Sequence, residues 1–169
     1  MSINSIYQDK ETLKIIKENY SQEFEATSMH EFFDEKTAKE LKKKLEKLEY
    51  SKIHQANLHS YKVTDIPKEI NEMINSKEVL EILGEILGQK VKSINLKAYL
   101  FTWKHFTLLK EEKEDIDIYF DFSEFWQPNL GGSFIYTDGK GNFEEVEPSF
   151  NTLSIVNRKS EMKRFMKYI

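Results

Sequence analysis

The chain has 169 residues, 25 Lys and Arg against 29 Asp and Glu, a formal net charge of -4 and no cysteine. An acidic balance disfavours whole-molecule attraction to phosphate backbones, and without thiols there is no disulfide framework, thiolate metal site or cysteine nucleophile. With no apolar signal core at the N-terminus and no apolar run near the roughly 20 residues of a membrane span, the expectation is a cytoplasmic protein with neither nucleic acid nor membrane as partner.

Gly is scarce, with six residues, as is Pro, with three, and no flexible linker marks a boundary. One domain is therefore expected over 1–169, mainly helical with an early strand over 1–88 and β-rich over 89–169. In residues 10–20, Leu13, Ile16 and Tyr20 recur at helical spacing behind a capping Asp9. In 34–50, Asp34 caps a second helix whose apolar stripe is Ala38, Leu41, Leu45 and Leu48, with Lys42, Lys43 and Lys47 on a solvated face. Residues 50–63 predict a strand. Pro67 suits a first helical turn, and Ile70, Met73, Ile74, Val79, Leu83 and Ile86 predict one helix that Gly88 ends.

Beyond Gly88 the period changes from helical to alternating. Ile94, Leu96, Ala98 and Leu100 share one side of an extended chain, and Tyr99, Phe101, Trp103 and His105 share the other. In "DIDIYFDF", Ile116, Ile118, Phe120 and Phe122 oppose Asp115, Asp117, Tyr119 and Asp121. Asp115 and Asp117 are read as a solubilising stripe, with a hard-cation site as the alternative. "GGSFIYTD", the turn "DGKGN", "FEEVE" and "FNTLSIVNR" continue a cadence of short strands. The fold class is α+β: N-terminal helices packed on an antiparallel sandwich or barrel.

The order of these elements, with Trp126 before Gly131-Gly132, an aromatic strand into Asp138-Gly139, and Pro148 leading to Asn151-Thr152-Leu153, resembles the 2-oxoglutarate and iron(II)-dependent oxygenases of the prolyl 4-hydroxylase-like group. The likeness spans roughly residues 30–169. It implies a double-stranded β-helix, jelly-roll-like and either complete or short of its last strand. It also implies Fe(II) held by two histidines and a carboxylate, with open positions for 2-oxoglutarate and oxygen. The family's H-x-D or H-x-E falls on Lys110, Glu111 and Glu112. Glu112 supplies a carboxylate there, but the Lys110 ammonium has no lone pair for a metal.

Shifting the register makes His105 the first ligand and leaves Thr107 at the carboxylate position. A distal histidine is expected within "KSEMKRFMKYI", yet all histidines lie at or before residue 105. The basic residue for the far carboxylate of 2-oxoglutarate has substitutes only in Lys163, Arg164 or Lys167, one strand early. His30, His54 and His59 have no ligand spacing, and they read as ordinary surface or half-buried histidines.

The leading expectation is a degenerate, non-catalytic member that binds a protein or other ligand, with no cofactor. The alternative is an active hydroxylase of a protein side chain, taking Fe(II) and 2-oxoglutarate through His105 and Glu112. A third possibility places an anion on Lys110. Tyr99, Trp103, Tyr119 and Trp126 are candidates to line a recognition groove or to pack in the core. The terminal stretch 164–169, from Arg164 to Ile169, predicts a strand with an open edge. That edge would pair with a protein partner or a second copy, unless an N-terminal segment near 21–29 covers it.

Overall fold

The computed structural model describes residues 2–21, 24–111, 115–159 and 161–169, with the side chains of 109–111 excepted. α1 (Lys10–Tyr20) starts where the Asp9 carboxylate accepts from the Thr12 N–H at 2.8 Å, and α2 (Glu35–Glu46) where Asp34 accepts from Thr37 N–H at 3.0 Å. Both caps are those the sequence marks.

The single helix expected after Pro67 is two, α3 (Lys68–Ile74) and α4 (Lys77–Leu87). Asn75 and Ser76 break it because their side chains compete for backbone groups. The Asn75 amide bonds both backbone groups of Ile94, accepting at 2.6 Å and donating at 3.1 Å, and Ser76 caps α4. Pro67 is the residue before the first turn of α3 rather than within it, and Gly88 ends α4 in the left-handed conformation at φ 65°.

Ten strands form two sheets among the described residues. The smaller has the order β1-β9-β6, from β1 (Ala26–Met29), β9 (Thr152–Arg158) and β6 (Asp115–Asp121). The larger runs β2-β3-β5-β10-β7-β8, with β4 also on β3. Its members are β2 (Ser51–Gln55), β3 (His59–Asp65), β4 (Lys97–Leu100), β5 (Phe106–Glu111), β7 (Phe134–Thr137), β8 (Phe143–Val146) and β10 (Lys163–Met166). The strand expected in 50–63 is thus a hairpin, and the extended reading of 94–105 holds only for β4 before a turn reverses the chain.

The small sheet is the middle layer. Strict alternation sends Ile116, Ile118 and Phe120 of β6 and Leu153 and Ile155 of β9 into the core beneath the helices, against Phe32, Leu41, Leu83 and Ile86. The opposite face meets the large sheet through Val156, Tyr119, Tyr136, Phe134 and Val146. Asn151 joins the layers: at φ 57° and buried, its amide accepts from Phe33 N–H at 3.0 Å and donates to Phe33 C=O at 2.7 Å. The Asn151-Thr152-Leu153 motif therefore serves the fold.

The open edge expected at 164–169 does not exist. β10 lies inside its sheet, Arg164 opposite Lys110 of β5 on one side and Tyr136 of β7 on the other. The residues after it are also held on both sides. Ile169 N–H donates to His105 C=O and its carbonyl accepts from Lys104 N–H, while Gly132 N–H donates to Lys167 C=O. Nor does the segment near 21–29 lie along β10, since β1 pairs with β9. The partner expectation thereby loses its premise at this strand.

Candidate functional site: a charged cluster in an aromatic cleft

Alternation in β6 puts Asp117 and Tyr119 on the face opposite Ile116 and Ile118. That face is covered by the large sheet, so Asp117 is largely buried. The reading of Asp115 and Asp117 as one solubilising stripe holds for exposed Asp115 alone. The Asp117 carboxylate accepts from three groups. Arg158 of β9 donates through Nε to Oδ2 at 3.2 Å and Nη2 to Oδ1 at 3.4 Å; Arg164 of β10 donates through Nη1 to Oδ2 at 3.0 Å; the Tyr136 hydroxyl of β7 donates to Oδ2 at 2.8 Å. Arg164 Nη1 also donates to the Tyr119 hydroxyl at 2.9 Å, and the Tyr119 and Tyr136 hydroxyls bond each other.

Four strands from both sheets therefore converge on one carboxylate. A buried charge survives only when paired and hydrogen-bonded, and Asp117 has both. Burial, with Asp117 a lesser cause, pushes the Tyr119 phenol up to about 12 against the opposing pull of Arg164. Tyr136 is raised further by burial, with the neighbouring Tyr119 and Asp117 adding to it. Both phenols stay protonated across the ordinary pH range. Desolvation also raises the Asp121 carboxyl further along the same face.

From this cluster a cleft opens along an aromatic wall. Tyr119 stacks on Phe134 with ring centroids 4.8 Å apart, Phe134 meets Phe101 edge-on at 6.0 Å, and Phe101 contacts Tyr61 at 5.8 Å and Tyr99 at 6.2 Å. Tyr99 is half exposed at the rim, and the Arg164 guanidinium lies 5.8 Å from the Phe134 ring centre. The cleft is lined by Tyr99 and Trp126 but not by Trp103. Trp103 projects from the turn after β4 with the Lys104 ammonium 4.0 Å over its ring.

Trp126 donates from Nε1 to the Gly131 carbonyl at 2.6 Å. Gly131 has φ 73°, and a Cβ there would sit 2.0 Å from the Tyr168 carbonyl oxygen, so only glycine admits the terminal segment. The Trp126-Gly131-Gly132 motif holds the loop and the tail together.

The candidate metal ligands are scattered. His30 bonds Thr152 Oγ1 at 3.2 Å; the hairpin register places His54 opposite Ser60 and His59 opposite Gln55, on opposite faces. His105 is buried in the turn before β5, its Nδ1 accepting from Thr102 N–H at 3.0 Å. Glu112 lies outside the described residues, as does the side chain of Lys110, whose backbone sits in β5 opposite Arg164. Among the described residues no three His, Asp or Glu side chains gather as a metal site. The cluster around Asp117 does not fit Fe(II) either: guanidiniums have no lone pair to give, and they repel a dication. Of the three substitutes considered for the basic group that would hold 2-oxoglutarate, Arg164 is turned onto Asp117 and Lys167 onto Glu145.

The overall fold matches solved oxygenases. A prolyl-4-hydroxylase from Pseudomonas putida superposes with a TM-score of 0.73 at 12% identity, over 92% of this chain and 91% of that one. The fold is that of the prolyl hydroxylase-like oxygenases. An oxidoreductase of the 2OG-Fe(II) oxygenase family from Burkholderia pseudomallei gives 0.71 at 10% identity, over 92% and 84%. A prolyl hydroxylase from Trichoplax adhaerens, in complex with a hypoxia inducible factor oxygen degradation domain peptide fragment, gives 0.67 at 8%, over 97% and 86%. No family model and no curated protein matches the sequence. Among the described residues no helix is long and apolar enough to cross a membrane.

Sequence reasoning missed Asp117, Tyr136, Arg158 and Arg164 as one unit. Its only trace is a charged residue at an inward position of each of β6, β9 and β10, which reads as surface until a second sheet is known to cover that face.

Proposed function

We propose that this chain is a non-catalytic oxygenase-fold module whose aromatic cleft binds a protein segment or another ligand. The observation that carries the proposal is the Asp117 carboxylate, bonded between the two sheets by Arg158, Arg164 and Tyr136. A facial iron site needs neutral imidazoles, a carboxylate and vacant positions; here the Asp117 carboxylate serves two guanidiniums. The dispersed histidines support the same reading, because each is held by its own local context rather than converging.

Without iron there is no step for 2-oxoglutarate to enter, and the retained feature of the fold is its cleft. Equilibrium dialysis against Fe(II) under anaerobic conditions tests this. The expected result is binding no tighter than to an unrelated acidic protein. One Fe(II) per chain, displaced on replacing His105 or Glu112, would establish the alternative hydroxylase.

A further inference from the structure

β2 bounds the large sheet. Among the described residues it pairs with β3 alone, and every one of its residues is exposed. A strand so placed carries a row of backbone N–H and C=O groups with no neighbour in the sheet. Its two faces differ. The register sets Lys52 opposite Lys62 and His54 opposite Ser60 on one face, and Ile53 opposite Tyr61 on the other. Ile53 is exposed, while Tyr61 packs on Tyr99 and Phe101, so the aromatic wall of the cleft runs outward through Tyr61 to the margin of the sheet.

Like charges directly opposite each other destabilise a hairpin, yet Lys52 and Lys62 are so placed. Among the described residues neither has an ion-pair partner. A lysine on an edge strand commonly guards it against pairing. That accounts for Lys52 but not for Lys62, which lies one strand further in. Within the hairpin and the residues leading into it, the carboxylates stand at the Ser51 end. Glu49 precedes the strand, and Asp65, beyond the Val63 partner of Ser51, has Lys97 at 3.9 Å. Toward the turn the titratable groups are His54 and His59.

The charges decide the occupant. Two copies joined antiparallel through β2 about Ile53 would set Lys52 against His54 and gather both lysine pairs on one surface. A strand with acidic residues on the lysine face and apolar residues on the Ile53 face instead fills the backbone row, neutralises the lysine pair and extends the apolar surface. We propose that the β2 edge accepts an extended segment of another protein, alternating acidic and apolar residues, as an added strand of the large sheet. This site lies beyond the cleft reading and stands whether or not the chain turns over 2-oxoglutarate.

The probe is a short acetylated peptide alternating glutamate and valine. One control carries lysine for every glutamate, and another carries proline at its centre, where it removes a donor. Amide hydrogen exchange of the full chain reads the edge. With the parent peptide, exchange of the outward amides of Ser51–Gln55 should slow saturably by roughly tenfold or more, and neither control should slow it. Lys52→Glu combined with Lys62→Glu should abolish that protection and transfer it to the lysine peptide, a gain that a misfolded variant cannot give. No protection at millimolar parent peptide overturns the proposal. So does equal protection by all three peptides, or protection unaltered by the double charge reversal, which leaves Lys52 an edge guard only. Protection in the protein alone that rises with its concentration also overturns it, the occupant then being a second copy. Iron binding and succinate formation are read separately, so a failure here is distinguishable from a failure of the non-catalytic reading.

Discussion

The Asp117 carboxylate of β6 and the Arg164 guanidinium of β10 meet at 3.0 Å across the space between the two sheets, with Arg158 on the same carboxylate. Removing the anion takes an ion-pair partner from two cations, one of them almost wholly buried. Asp117→Ala is expected to destabilise the protein by about 3–5 kcal/mol, measured by urea unfolding. Asp117→Ala combined with Arg158→Met should recover part of that loss, because the second change removes the more deeply buried of the two cations that Asp117 paired.

The raised Tyr119 phenol gives an alkaline signature. Its folded pKa of about 12 lies above the unfolded value near 10, so its contribution is fully present below about pH 10 and is lost as pH rises toward 12. Unfolding midpoints should fall over that window, and Tyr119→Phe should make the fall shallower. Ultraviolet titration should show the Tyr119 and Tyr136 phenols ionising only as the chain unfolds.

Asn151 contributes both a left-handed backbone and a two-way bridge to Phe33. Asn151→Gly keeps the conformation and loses the bridge, for about 2 kcal/mol; Asn151→Ala adds backbone strain of about 1 kcal/mol. Thermal denaturation of the two variants should rank them in that order.

Gly131→Ala forces a methyl group against the Tyr168 carbonyl. The terminal residues should then detach from Gly132 and His105. Faster amide exchange at residues 167–169, with β6 and β9 unchanged, is the expected readout.

The caps at Asp9 and Asp34, the alternation of β6 and the turn at Asp138-Gly139 were legible because each is written in residues a few positions apart. The split of α3 from α4 was not, since it depends on Asn75 reaching Ile94, 19 positions away. The site was harder still. Asp117, Arg158 and Arg164 come from three strands, and their partnership exists only once β6 and β10 face each other from different sheets. The open edge was misplaced for the same reason: the last strand in sequence is central in its sheet, while β2, the first strand of that sheet in the chain, lies at an edge.

The most direct test of the non-catalytic reading is 2-oxoglutarate turnover. Purified chain is supplied with Fe(II), ascorbate, oxygen and 2-oxoglutarate, and succinate is quantified against a no-protein blank and an active prolyl hydroxylase. Succinate at the blank rate is the expected result. Succinate formed catalytically, dependent on Fe(II) and abolished by replacing His105 or Glu112, would contradict it.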